Sequence, residues 1–390
     1  MTDTPAPAPP LPNPLRARHE AVGAEFQAYA SLEVVSTFGE PQAEYAAIRK
    51  ASALIDEPQR GILELTGEDR LAFLNNLLTN QTWDKATKTG LAAGAGVYAF
   101  FLNGKGRIIT DACVIERGDR TWLDMDARLV DSTRQAFDKF LFRERVKMTS
   151  RVGDLHTLAL HGPGTSKILG EVCDPPPGEL EQVGSFATRL FDVDVVLWRD
   201  DACGVSGFHM VAESAKVGKI WDGLLARFFE NQEPGRRRLR PAGWAAFNAT
   251  RIEAGRPIFG IDFDDTVLPA ETGQLARAAS FTKGCYLGQE IVARMHARGQ
   301  VARQIVGLRV ADDALPMAGA LLYDDQNNQV GGITSSTVSP VLSNACICLG
   351  FAKKAFIPPG SIVKVPAEGA MRQATVVALP FLAAGASDHL

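Results

Sequence analysis

Apolar positions along this chain fall into two patterns, a helical spacing and short runs of strand length. Residues 15–60 read as largely helical before entering a strand, where Ile62, Leu63 and Leu65 lead to a turn at Thr66-Gly67. Leu71, Phe73, Leu74, Leu77 and Leu78 then recur at helical spacing. Residues 96–103 and 107–116 predict two strands joined by a hairpin turn at Asn103-Gly104-Lys105-Gly106. An amphipathic helix over 130–142 follows.

A second unit opens near 155 with a strand over 155–160. The turn His161-Gly162-Pro163-Gly164 leads to a helix over 165–172. Strands at 189–198 and 208–212 and a helix over 214–229 come next. The order β-α-β-β-α occurs in both units, which predicts mixed sheets with helices on one face. Glu233-Pro234-Gly235 with Arg236-Arg237-Arg238 reads as a linker or a helix lead-in, and the helix over 242–253 stops at Gly255 with Pro257 close behind. Beyond Gly299, short β-like runs are separated by Gly, Pro, Asn and Asp, the pattern of a small antiparallel barrel. The expected class is α+β with mixed and antiparallel sheets. Its expected parts are a disordered leader 1–14, a first unit 15–153, a second unit 154–299, a barrel 300–380 and a tail 381–390. Interleaving of the two units is left open.

Composition changes this picture little. Of 390 residues, 46% are hydrophobic and 22% charged, so a large core is available without metal or disulfides. The net charge of -4 creates no global basic field, and direct nucleic-acid binding is not expected. The six cysteines, at 113, 173, 203, 285, 346 and 348, are scattered and form no Cys-x-x-Cys pair. They suit a reducing, cytoplasmic setting and argue against structural zinc. The Pro- and Ala-rich start lacks the basic and apolar regions of a signal peptide. No apolar run reaches the ~18 residues of a membrane span.

Two places carry candidate chemistry. Residues 283–290 read Lys-Gly-Cys-Tyr-Leu-Gly-Gln-Glu and enter a predicted helix at Gln289. A glycine-rich turn at a helix start gathers free N–H groups and the positive end of the dipole, which favours a thiolate. Cys285 is thus a candidate reactive or ligating thiol, with Lys283 as its nearby cation and Tyr286 as cover or hydrogen-bond partner. The competing reading is a tight turn whose cysteine only packs. Asp111 sits mid-strand with Ile109 and Cys113 on its own face. A lone carboxylate there is costly unless paired, so Asp111 is a candidate acid, base or amine anchor. The 103–106 turn is no phosphate loop, because Gly106 stands where Ser or Thr is required. His161, His209 and His296 read as structural or solvated, and Cys346 and Cys348 as strand packing.

The stretch Phe-Thr-Lys-Gly-Cys-Tyr-Leu-Gly-Gln-Glu-Ile-Val-Ala-Arg at 281–294 resembles the signature of the YgfZ family, folate-binding relatives of the glycine-cleavage T-protein. Gly67-Glu68-Asp69-Arg70, Leu158-Ala159-Leu160-His161-Gly162-Pro163 and Arg251-Ile252-Glu253-Ala254-Gly255 resemble segments of both families. The resemblance spans roughly residues 40–380. It implies a three-domain disc with tetrahydrofolate, or a one-carbon derivative, in a central channel. It marks Tyr98, Asn103, Asp111, Phe208, His209, Arg251 and Glu253 as folate contacts. T-proteins carry a paired Asp-Asp where this chain has Thr110 and Asp111, and a Glu where His209 follows Gly207-Phe208. The resemblance thus implies a folate-binding accessory protein that supports iron–sulfur cluster assembly or repair in client enzymes, tRNA-modifying enzymes among them. Cys285 would ligate iron or exchange with thiols. The alternative is an aminomethyltransferase of the T-protein type, with Asp111 central.

Overall fold

The computed structural model describes residues 13–299 and 301–382; the rest of the expected leader and tail lies outside them. Two sheets and a closed barrel carry the fold. The first sheet is antiparallel, with strands ordered Lys147–Ser150, Arg60–Thr66, Arg120–Asp126, Ile108–Glu116 and Gly96–Leu102. Both faces of its central strands are covered, so apolar residues are buried on each. Alternation sends Ala99, Phe101, Ala112 and Val114 against helices Arg70–Leu77 and Val130–Asp138. There Phe101 and Phe137 meet edge to face with ring centroids 4.8 Å apart. Tyr98, Phe100, Cys113 and Ile115 face the opposite way, into the centre of the molecule.

The second sheet runs Cys173–Asp174, Ser185–Leu190, Val193–Arg199, Gly207–Glu213, Leu155–His161, Ala53–Asp56 and Arg240–Pro241, and only the last pair is parallel. Helices Thr165–Val172 and Val217–Leu225 cover its outer face, burying Ile168, Leu169, Trp221 and Leu224 against Leu197, Phe208 and Met210. Its inner face contributes Val196, Trp198 and Val211 to the central core. The two units interleave. Ala53–Asp56 pairs with Leu155–His161, so the chain leaves the second sheet at Asp56 and enters the first at Arg60.

The expectation of a largely helical 15–60 is corrected. Helices Arg16–Ala21 and Pro41–Lys50 flank a hairpin of Glu25–Tyr29 with Leu32–Thr37. The Leu-Glu-Val-Val-Ser-Thr run favours a strand through its β-branched residues. Strand Arg120–Asp126 was also not expected, since its Asp124 and Asp126 break the apolar run.

Strands Arg303–Val310, Ala345–Lys353, Gln329–Ser339, Leu321–Tyr323, Ile362–Ala367 and Ala370–Val377 close the barrel in that order. Cys346 and Cys348 sit in its core with Leu308, Val363 and Val376. Helix Trp244–Glu253 binds the barrel to the rest. Arg251 pairs with Asp262 at 2.6 Å and donates to Ser335 at 2.7 Å, while Glu253 accepts from Tyr45, Arg49 and Ser339.

Candidate functional site

The inner faces of the two sheets part to leave a cleft, and strand alternation decides what lines it. From the first sheet come Tyr98, Asp111, Cys113 and Asp124. Thr110, one residue from Asp111, belongs to the helix-covered face and is buried there. From the second sheet come Trp198 and His209, direct partners across two strands. Phe208 points the other way, into the helix-side core. Glu57, Gln59 and Arg60 arrive on the connection between the sheets, and Tyr29, Trp244, Arg251 and Arg277 complete the walls.

Charged groups here are held in pairs. The Tyr98 hydroxyl donates to Asp111 Oδ2 at 2.7 Å. Burial pushes the Asp111 carboxyl above the usual range, against the Tyr98 hydrogen bond and the charges of Arg60 and Arg277. Burial, with Asp111 behind it, also drives the Tyr98 phenol well up. Arg277 lies over the Tyr98 ring, 3.8 Å from its centroid. Arg60 donates from Nε to Asp124 Oδ1 at 2.6 Å, yet burial still raises the Asp124 pKa. His209 Nδ1 lies 2.6 Å from Glu57 Oε2, and its ring stacks on Trp198 with centroids 4.0 Å apart.

Five buried polar atoms on these walls have no hydrogen-bond partner among the described residues: Gln59 Oε1, Asp124 Oδ2, Trp198 Nε1, His209 Nε2 and Arg277 Nε. An unsatisfied buried polar atom costs about 1–3 kcal/mol. These residues all line one cleft beside aromatic side chains, an arrangement that suits a polar ligand.

The signature lies apart from this cleft. Its helix, Gln289–Arg298, starts after Gly288 in a left-handed conformation (φ 81°). A side chain at 288 would come within 3.0 Å of the Asn103 carbonyl oxygen, so the hairpin turn packs on the signature rather than on the cleft. Asn103 itself accepts from the N–H groups of Lys105 and Arg107.

Lys283 is not free to serve the thiol as its cation. Its ammonium turns inward and donates to the carbonyls of Asn75, Leu78 and Asn80 at 2.6, 2.6 and 2.9 Å, capping the end of helix Arg70–Leu77. Burial, with Lys85 adding to it, lowers its pKa to about 7. Tyr286 is core, its ring 4.8 Å from Lys283 Nζ. Cys285 is exposed, whereas the other five cysteines are buried. Burial pushes the Cys173 and Cys203 thiols up to about 12. Iodoacetamide applied to the folded protein is therefore expected to label Cys285 well before Cys173 or Cys203, read by peptide mass spectrometry. Equal rates would show that Cys285 is not the accessible thiol.

The cleft thus gathers Tyr98, Asp111, His209 and Arg251, while Asn103, Phe208 and Glu253 lie outside it. Arg251 is present with its donors committed to Asn248, Asp262, Ser335 and the Arg256 carbonyl. The sequence pattern does not single out Glu57, Arg60, Asp124, Trp198 or Arg277, which the fold brings to the cleft. One signal was available: residues 56–60 read Asp-Glu-Pro-Gln-Arg between two apolar strands, an unusually polar link for so buried a place.

Comparison with known proteins bears on the whole chain. A family model described as the GCVT N-terminal domain matches residues 15–283, and one described as the glycine cleavage T-protein C-terminal barrel domain matches residues 303–382. An aminomethyltransferase of Moorella thermoacetica is 27% identical over 94% of this chain and 96% of its own length. That of Saccharopolyspora erythraea is 25% identical over 95% of this chain and 98% of its own. The glycine cleavage system aminomethyltransferase T of Bartonella henselae shares the fold, with a TM-score of 0.83 at 22% identity across 96% of this chain and 98% of that one. No helix among the described residues is long and apolar enough to cross a membrane. This chain therefore belongs to the GCVT family, carrying the N-terminal domain over residues 15–283 and the C-terminal barrel of glycine cleavage T-proteins over residues 303–382.

Proposed function

We propose that the cleft binds tetrahydrofolate and that the protein acts on a one-carbon unit carried by it, as an aminomethyltransferase-type enzyme. Five cleft-lining residues with unpartnered polar atoms, beside aromatic side chains, carry this reading. A pterin ring is flat and presents donors and acceptors around its edge. Trp198 Nε1 and Arg277 Nε supply donors, Gln59 Oε1 and Asp124 Oδ2 acceptors, and Trp198, Tyr29 and Trp244 apolar faces. Tetrahydrofolate supplies the nitrogens that take up the one-carbon unit. Asp111 supplies a carboxyl that can hold or accept an amine proton, with Tyr98 fixing its orientation. The relatives named aminomethyltransferase match at nearly full length, which ranks this reading above the iron–sulfur accessory role that the signature suggested.

The test is calorimetry and thermal unfolding with tetrahydrofolate under nitrogen. At 100 times its Kd, tetrahydrofolate is expected to stabilise the protein by about 2.7 kcal/mol. No heat and no shift at millimolar ligand would end the folate reading. Formation of methylenetetrahydrofolate from an aminomethyl-loaded lipoyl carrier protein tests the transfer itself.

One observation favours a second reading of the YgfZ type, in which a folate-bound protein uses Cys285 in iron–sulfur assembly for client enzymes. Cys285 is the exposed cysteine, at the turn before the signature helix. Among the described residues no three His, Cys, Asp or Glu side chains are grouped to hold a metal ion, so Cys285 would share any cluster with another molecule. Loss of client iron–sulfur enzyme activity on Cys285→Ser, with aminomethyl transfer absent in the unaltered protein, would put this reading first.

A further inference from the structure

Four carboxylates line the cleft: Glu57, Asp111, Asp124 and Asp200. Three of them meet a partner in the protein that leaves no oxygen buried and unserved: His209 for Glu57, Tyr98 for Asp111 and Arg256 for Asp200. Asp124 differs. Arg60 donates to its Oδ1 from Nε, at 2.6 Å, and from Nη2. Its Oδ2 is the one buried carboxylate oxygen without a hydrogen-bond partner among the described residues. The side chain is fully buried, so bulk water does not serve that oxygen. Leaving a buried acceptor unserved costs about 1–3 kcal/mol, and more when it carries charge.

Strand register sets Asp124 among the cleft groups. It lies directly opposite Cys113, and Cys113 lies opposite Tyr98, so the three residues form a row across the first sheet. Cys113 gives Oδ2 no hydrogen bond. The Arg60 guanidinium stays charged at any working pH and forms its ion pair with Asp124. A neutral Asp124 would strand that cation, so the pair is ionised and Oδ2 is an acceptor. Burial raises the Asp124 pKa, and the Arg60 charge is the first influence opposing it.

We propose that Asp124 determines ligand specificity in the cleft, its Oδ2 accepting a hydrogen bond from an amino group of the ligand while Arg60 holds Oδ1. In a folate that group is the 2-amino substituent of the pterin ring. The inference rests on the folate reading above and adds which substituent is read, and by which side chain. Arg60 is a positioning residue: its two donors occupy one oxygen and leave the other for the ligand. A ligand without a donor at that place leaves Oδ2 buried and unpaired, and is rejected for that reason.

The experiment measures, under nitrogen, the Kd of tetrahydrofolate and of its 2-desamino-2-methyl analogue for the unaltered protein and for D124N. The unaltered protein is expected to prefer tetrahydrofolate by about 10–100-fold, the worth of a hydrogen bond to a charged group. In D124N the amide oxygen turns to Arg60, which can only donate, so the amide NH2 takes the place of Oδ2 and opposes the ligand's amino group. Tetrahydrofolate is then expected to bind about 10–100-fold more weakly, with the analogue changed by no more than about twofold, so the preference disappears. A protonated Asp124 would donate from Oδ2 as Asn does, and D124N would bind tetrahydrofolate as the unaltered protein does; that result overturns the inference. Equal losses for both ligands would make Asp124 a structural partner of Arg60 alone, and overturn it too. Should D124N fail to fold with Arg60 unpaired, R60M/D124L removes both charges together, and the same loss of preference is expected of it. If the unaltered protein binds both ligands equally, this inference fails and the folate reading stands; if it binds neither, the folate reading itself fails.

Discussion

Replacing Asp111 with Asn is expected to lower kcat/KM for folate-dependent aminomethyl transfer by about 10²-fold or more. The substitution keeps the shape of the side chain and its contact with Tyr98, but Asn can neither take up a proton nor carry a charge. It is not expected to weaken the fold, and the sign follows from linkage. Burial raises the folded pKa of Asp111 above its unfolded value. The ionised carboxylate therefore costs stability above the folded pKa, and that cost is absent below the unfolded one. Asn removes the cost, so stability at neutral pH stays or rises while activity falls. The same pKa sets an acid limb, since a carboxylate acting as base is lost as pH drops through it. Tyr98→Phe deletes a hydrogen bond that holds this pKa down, so the acid limb should move to higher pH. Full transfer activity in D111N would remove Asp111 from the chemistry, whatever the folate binds to.

The second large effect is on stability. Lys283→Met is expected to destabilise the protein by about 3 kcal/mol, because it strips two buried carbonyls and a half-buried one of their donor at about 1–3 kcal/mol for each buried group, partly offset by the ammonium no longer being buried. Helix Arg70–Leu77 ends at these carbonyls, and Asn75 at its last turn is fully buried. Urea unfolding monitored by tryptophan fluorescence measures the change. A loss under about 1 kcal/mol would mean that water replaces the ammonium and that Lys283 is no structural clamp.

How much of this was legible beforehand varied by element. Helix Thr165–Val172 follows its apolar spacing after the Gly162-Pro163-Gly164 turn, helix Gln289–Arg298 stops at Gly299, and the barrel strands follow short apolar runs between turn residues, all local signals. The hairpin at residues 25–37 was missed because Glu33, Ser36 and Gln27 dilute its strand pattern. Asp111 was legible, since a carboxylate on an apolar face has little other use. Its partners were not. Asp124 lies in a strand that its own charge disguises, and Glu57 and Arg60 come from a link whose burial only the meeting of two sheets creates. Lys283 differs from its sequence expectation for a related reason. Two positions from Cys285 in sequence, its ammonium reaches carbonyls more than 200 positions away along the chain. Proximity in sequence is a weak guide to where a long, flexible side chain places its charge.

The interleaving of the sheets also sets an order of events during synthesis. Every strand of the first sheet lies between residues 60 and 150, so that sheet can assemble as soon as this stretch leaves the ribosome. The segment before it has no such liberty. Ala53–Asp56 must wait for Leu155–His161, and Tyr45 and Arg49 for Glu253, more than 200 residues later. The N-terminal segment therefore emerges first and docks late, after its long-range partners have been made. Trp198, His209 and Trp244 come from later elements, and Glu57 is placed by the strand that waits for them, so a truncated product would carry Arg60, Tyr98, Asp111 and Asp124 on a finished sheet with half of the cleft missing.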